Sequence, residues 1–355
     1  MQNFAFFTLH SIRKFIIYIY NSKFRMVHYG FMPTMLQGPE YNCSSVMPPG
    51  PAWAAQYGVK QYRFGIYSVV FGFIAEILYL PCVLALRREL KTSCFKIMYW
   101  LAIQDMICLT CSCILFGVLL IEGAVYCSHR VLSFITGSVS YWIWCTASPC
   151  CVVLALNRLC EMINLSRFFS ATRTNVYLGI CASYGTFMVL FTRPALGVNS
   201  SLQAIIFSPL IPGHDQEEYA NWPHAVHNIA VAAASSMIYV TLIVVIVIKS
   251  RSVVTSTNGS GASKTINKML VQVMLICAPN MIASTFYVYA NFFSMPLAFL
   301  LAGSMAFQFV HGLPPFVYIA INSSIRTFAL RACRLEKLLT NNTKVTQVGA
   351  SHGTG

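Results

Sequence analysis

Three ionisable side chains sit deep inside long apolar stretches of this chain: Glu76, Asp105 and His311. At about 1.5 Å of helix rise per residue, Glu76 and His311 lie about 15 Å from the more basic end of their stretches, and Asp105 about 12 Å. Asn280 and Ser148 fall at similar depth. Ionisable groups so placed are costly and point by default to a functional site. A His311–carboxylate pair, a shared proton or a bound cation would each lower the cost. The bland alternative is ordinary interhelical hydrogen bonding, worth about 0.6 kcal/mol per contact. A second set is aromatic: Tyr141, Trp142, Trp144, Tyr287 and Tyr289, joined by Gln308. Small-molecule sites between helices are mostly apolar with a few placed polar groups, so these residues are the ligand candidates. The competing role for each is helix packing. Enzyme signatures are missing from the sequence: there is no H-E-x-x-H, no G-x-S-x-G, no phosphate-binding Gly-Lys loop and no paired metal-ligand spacing.

Seven apolar segments must position these groups: Phe64–Leu86, Ile97–Ile121, Val131–Leu156, Thr174–Thr192, Asn228–Ile248, Met269–Asn291 and Leu297–Ile321. Each can cross a hydrocarbon core of about 30 Å, which takes about 20 helical residues. Lipid admits only helices and closed barrels, and barrel strands would be shorter and alternate in polarity. The fold expected is an all-α membrane protein, a bundle of seven spans at 64–321. The 355 residues are 57% hydrophobic and only 10% charged, against about 25% charged in soluble domains.

Charge placement orients the bundle. Arg87, Arg88, Lys91 and Lys96 follow the first span, Arg158, Arg167 and Arg173 the third, and Lys249, Arg251, Lys264 and Lys268 the fifth. Arg326, Arg331, Arg334, Lys337 and Lys344 follow the last. The alternate loops hold few bases, with Asp215, Glu217 and Glu218 among them. The positive-inside rule then places the N-terminus outside and the C-terminus in the cytoplasm. The net charge of +14 thus reflects topology and attraction to anionic inner-leaflet lipid, not nucleic-acid binding.

Residues 1–63 form an outer leader. Its stretch Phe4–Tyr20 is interrupted by Arg13 and Lys14 and makes a poor span and a poor signal peptide. A start at Met26 or Met35 would leave it unmade. Asn42 and Asn199 begin glycosylation triplets on the expected outside. Of 14 cysteines, only Cys43 and Cys127 lie clearly outside the spans on that side. The alternatives are a Cys43–Cys127 bridge and two free thiols; oxidising surroundings favour the bridge. Cys333, beside bases after the last span, suits palmitoylation or packing equally. Residues 322–339 read as an amphipathic interfacial helix, with Ile325, Phe328, Ala329 and Ala332 at helical spacing. Residues 340–355 read as a disordered tail, and Thr255–Ser263 as a flexible linker.

The chain resembles the nematode serpentine receptor class T family of chemoreceptors, within the G-protein-coupled receptors. The resemblance rests on Tyr41-Asn42-Cys43-Ser44, Cys94-Phe95-Lys96-Ile97-Met98, Asp105-Met106, Leu156-Asn157-Arg158, His311-Gly312-Leu313-Pro314, and Asn322 with Ile325-Arg326. It covers roughly Tyr29–Leu335. Leu101–Asp105 also resembles the second-helix motif whose carboxylate binds sodium in rhodopsin-like receptors, which implies Na+ near Asp105. Pro315–Tyr318 resembles the proline–tyrosine motif of the seventh helix, which adds Tyr318 to a polar switch of Asp105, Glu76, His311 and Asn280. Arg158 matches the third-helix arginine that touches the G protein, with Lys268 and Arg326 as further basic contacts. Asn157 stands where that arginine usually has an acidic neighbour, and the second outer loop lacks the usual cysteine. The resemblance implies a receptor that takes a small-molecule cue outside and signals to a heterotrimeric G protein by helix rearrangement, in the plasma membrane and in sensory cilia. The rival reading is an ion channel or transporter using Glu76, Asp105 and His311.

Overall fold

The computed structural model describes residues 31–193, 197–253, 260–292 and 296–332. The leader to residue 30, residues 255–259 of the expected linker, and the tail with Cys333 lie outside them.

Six long helices pass the length and hydropathy test for a membrane span: Tyr62–Arg88, Ser93–Glu122, Arg130–Met162, Ala171–Phe191, Trp222–Val245 and Val271–Tyr289. A seventh is a bent pair, Leu297–Gly312 and Pro314–Ile321, which meet at 43°. The bend falls at Leu313, where Pro314 and Pro315 cannot donate to the preceding turn. Below, these are spans one to seven. The fifth helix continues to Val253, and the sixth runs from Ser260 to Phe292, so residues 260–263 of the expected linker are helical.

Span three is the most enclosed of the seven and packs against spans two, four, five and six. Span one shows why a helix with almost no net amphipathic pattern still has two faces. Gly72, Ala75, Tyr79, Cys82 and Leu86 are buried at three- and four-residue spacing, while Phe73, Ile77, Leu80 and Leu84 are about half exposed on the other side. The exposed face is as apolar as the core because its solvent is lipid. Spans one and two approach through Gly65 and Gly117. A Cβ on either would come within 2.7 Å of the other's carbonyl oxygen, so small residues are required there.

Span two contains a π-helical turn, Thr110–Leu115, between Ser93–Leu109 and Phe116–Glu122. Such turns shift the register of everything beyond them.

The bundle is not purely helical. Between spans four and five the chain forms an antiparallel hairpin, β1 Gly197–Asn199 and β2 Ala204–Ile206. It lies across the end of the bundle, with Val198 buried among Phe64, Phe116 and Leu120. Gly197 has φ +101° and its Cα sits against the Ser133 carbonyl, where a Cβ would be 1.9 Å from that oxygen. Ser200 N–H donates to the Ala124 carbonyl at 2.9 Å, and Ser304 Oγ donates to that of Gln203 at 2.8 Å.

At this same end Cys43 and Cys127 are disulfide-bonded. The bridge ties the segment before span one to the start of span three, within a buried group that includes Tyr41, Trp53 and Tyr219. Arg193 reaches Glu40 at 3.4 Å and the Tyr41 hydroxyl at 3.3 Å. Burial pushes the Tyr41 phenol above its ordinary value, and the Arg193 charge pulls it part of the way back. At the opposite end Ser323–Ala332 forms a helix after Asn322. Ile325 and Ala329 are buried against the bundle, and the Arg88 guanidinium sits 4.3 Å over the Phe328 ring.

Candidate functional site

The mid-bundle polar groups separate into two clusters. The main one joins spans one, two and seven. His311 Nδ1 lies 2.7 Å from one carboxylate oxygen of Asp105, and the Tyr79 hydroxyl donates to the other at 2.7 Å. The same hydroxyl lies 3.0 Å from the His311 carbonyl oxygen. All three side chains are buried. Pro315 lies four residues after His311, so the His311 carbonyl lacks the usual helical donor and lies beside the Tyr79 hydroxyl, whose one proton is shared between it and Asp105. Tyr318 stacks edge-on to Tyr79 at 6.5 Å and is fully buried, with its hydroxyl unpartnered among the described residues. In the second cluster Asn280 Nδ2 donates to Ser148 Oγ at 3.1 Å, joining spans six and three.

Glu76 belongs to neither. It is half-buried at the margin of span one's inward stripe and accepts a 3.1 Å bond from Thr110 in the π turn. Depth along a helix does not give azimuth: the inward position is Tyr79, three residues on. Sequence reading missed Tyr79, although it is the one hydroxyl-bearing aromatic on the Gly72–Leu86 stripe. Tyr79 and His311 each engage one Asp105 oxygen, so the expected Na+ would share the carboxylate with them.

Above the main cluster, toward the disulfide end, lies a cavity of about 320 Å³ walled by spans two, three, five, six and seven and by β2. That is near the lower limit for small-molecule pockets. Tyr141, Trp144, Tyr287 and Gln308 line it. Trp142 does not. It faces span four, where its indole N–H donates to Thr186 Oγ1 at 3.1 Å. Two residues along a helix are about 200° apart, so Trp142 and Trp144 cannot share a face. Tyr289 is also outside the wall, stacked on Phe299 at 6.3 Å. The wall gains residues that no motif announced: Ser112, Ser140, Phe207, His224 and Phe307.

A hydrogen-bonded chain supports the wall. Trp144 Nε1–H donates to Asn228 Oδ1 at 2.9 Å, and Asn228 Nδ2 lies 3.2 Å from His224 Nε2. Asn221 Nδ2 reaches the Tyr141 hydroxyl at 3.1 Å and the Arg193 carbonyl at 2.9 Å. Gln308 Nε2 donates to Ser68 Oγ at 2.9 Å and to the Ser112 carbonyl at 3.0 Å. A normal α-helix would commit the Ser112 carbonyl to its own ladder; the π turn supplies this acceptor to span seven. Phe307 lines the cavity, and its ring packs on His311 at 5.0 Å. The cavity and the polar cluster therefore share one helical turn.

At the far end Arg158 is buried and ion-paired with Glu161, one turn along. The acidic partner missing beside Arg158 is thus present three residues later. Asn157 Nδ2 instead donates to Ser93 Oγ at 2.9 Å. Arg326 donates to the Ala320 carbonyl at 2.9 Å and caps the end of span seven. The Lys268 side chain lies outside the described residues. Of the two glycosylation triplets, Asn42 is exposed, but Asn199 is 5% exposed and its Oδ1 accepts from Leu202 N–H at 3.0 Å. Asn199 is thus much less accessible than Asn42.

Seven membrane-spanning helices, an end cavity and a buried polar cluster define a seven-helix membrane protein of the receptor type. The chain matches the profile of the family described as Serpentine type 7TM GPCR chemoreceptor Srt over residues 25–342, and it belongs to that family. It is similar to serpentine receptor class T-55 of Caenorhabditis elegans, 25% identical over 316 residues that cover 85% of this chain and 84% of the relative.

Proposed function

We propose that this protein is a G-protein-coupled chemosensory receptor of the plasma membrane, with the disulfide end outside. A small-molecule cue occupies the cavity, and a heterotrimeric G protein docks at the Arg158 end. The basic residues near that end, Arg87, Arg88, Lys96 and Arg158, support the orientation. Family membership supports the signalling role and placement in sensory cilia.

The observation that carries the reading is the contact from Phe307 to His311. A ligand touching Phe307 presses on the group that joins spans one, two and seven. If it binds one arrangement of that group more tightly, it shifts the population toward that arrangement. The break at Leu313–Pro315 gives span seven a place to bend. In this mechanism Asp105, Tyr79 and His311 are the switch, with Tyr318 below them. Glu161 holds Arg158 until the G protein takes it.

The test is G-protein activation in cells that express the receptor and are screened with volatile and water-soluble cues. A ligand-dependent response that Phe307→Ala weakens, with surface expression retained, is expected. Ion flux through the purified protein without G-protein activation would overturn the reading in favour of a channel or transporter.

A further inference from the structure

Among the described residues, the cavity wall contains no Asp, Glu, Lys or Arg. Its one titratable imidazole, His224, is held neutral by hydrogen-bond logic. An indole N–H only donates, so Trp144 must give to the oxygen of Asn228. That leaves the Asn228 nitrogen facing His224, and an amide nitrogen also only donates. His224 Nε2 must therefore accept, which places the single ring proton on Nδ1. A charged imidazolium would set two donors against each other at 3.2 Å.

Among the described residues, two on the wall keep a buried polar atom without a partner. Both Gln308 Nε2 hydrogens are spent on Ser68 and Ser112, and Gln308 Oε1 has none. Ser140 Oγ has none either. Gln308 is 1% exposed and Ser140 2%. Neither atom is open to the cavity as the side chains stand, so a ligand reaches it only by turning the side chain inward, and pairing there recovers the cost of leaving it unpartnered. The remaining wall is mostly apolar, and its aromatic rings largely engage one another: Trp144 meets Tyr287 at 83° and Tyr141 meets Phe207 at 89°.

We propose that the ligand is an uncharged molecule with an apolar body and a hydroxyl or N–H group, which donates to Gln308 Oε1 and accepts from Ser140 Oγ–H. Small alcohols and neutral amides fit this site. A ketone or ester can accept from Ser140 but offers Gln308 nothing. A carboxylate or ammonium would leave water for a wall without a counter-charge. The inference rests on the reading that the cue occupies this cavity.

The probes are an alcohol, a primary amide, a methyl ketone, a carboxylate and an amine built on one short carbon skeleton. Binding is read as the ligand-dependent shift in melting temperature of the purified full-length receptor, and signalling as G-protein activation. The alcohol and amide are expected to act at concentrations at least about tenfold below those of the acid and amine, with the ketone between. Ser140→Asp, which puts a carboxylate in the wall, should make the amine the preferred probe.

Gly303 separates the two ways of failing. It lines the cavity, and a Cβ there would meet nothing within 4 Å, so Gly303→Phe fills the space. If the acid or amine binds best and Gly303→Phe abolishes that binding, the cavity is the site and the neutral class is wrong. If probe binding survives Gly303→Phe, or no probe shifts the wild-type protein at all, the cavity reading falls and the proposal with it.

Discussion

Replacing Tyr79 with Phe removes one oxygen atom and nothing else. The ring keeps its place beside Tyr318, so no cavity forms. What is lost is the 2.7 Å bond to Asp105 and the 3.0 Å approach to the His311 carbonyl. Two magnitudes compete. An ordinary interhelical hydrogen bond in a membrane protein is worth about 0.6 kcal/mol, and about 1.7 at most. A bond to a charged partner, or an acceptor left buried without one, is worth about 1.5–3 kcal/mol. A double-mutant cycle of Tyr79→Phe with Asp105→Ala, measured by unfolding of the purified receptor, isolates the pair, because an asparagine would still accept from Tyr79. The expected coupling is at least about 1.5 kcal/mol. If the contact exists in only one arrangement of spans one, two and seven, its loss shifts that equilibrium by roughly 10- to 150-fold. Ligand-free G-protein activation of Tyr79→Phe should then change by a visible part of that range. Coupling at or below about 0.6 kcal/mol together with unchanged basal signalling would refute the switch and leave Asp105, Tyr79 and His311 as packing polar groups.

Three further outcomes follow from other contacts. Cys43→Ser, Cys127→Ser and the double variant should lower the melting temperature equally, because each breaks the same bridge; additive losses would show that the cysteines act separately. The bridge closes a sequence separation of 84, which the chain-entropy account values at about 4–5 kcal/mol against a fully unfolded chain, and at less where the spans stay in the membrane. On a gel, Asn42→Gln should abolish any glycosidase-sensitive mobility shift and Asn199→Gln should not; loss of the shift with Asn199→Gln would contradict the burial of that side chain. Glu161→Gln should release Arg158 and raise basal G-protein activation. The effect should be small, roughly 1.5- to 5-fold, because Glu161 is 37% exposed and the pair is partly screened, and a fall in activation would count against Glu161 as a restraint.

The number of spans and the Cys43–Cys127 bridge were legible in the linear chain because they depend on local quantities, whereas helix ends were not, the sixth helix starting at Ser260 and not at Met269. A run of about 20 apolar residues is a span whatever surrounds it. A cysteine outside the spans has few partners to choose from. Asp105 and His311 were legible as costly groups that need partners in lipid, but the choice of Asp105 over Glu76 as the partner of His311 came from the tertiary structure. Azimuth and tertiary pairing were not legible. Every residue of a membrane helix can be apolar, so periodicity does not distinguish a lipid face from a core face. Glu76 and Tyr79, or Trp142 and Trp144, look equivalent on the page, yet only one of each pair points to the site. The hairpin that buries Asn199 is three residues per strand and is held by Ser200 and Ser304 contacts far apart in sequence. Likewise the neutrality of His224 comes from Trp144 by way of Asn228, across 84 residues, and only the packing of spans three and five against each other brings those three side chains into line.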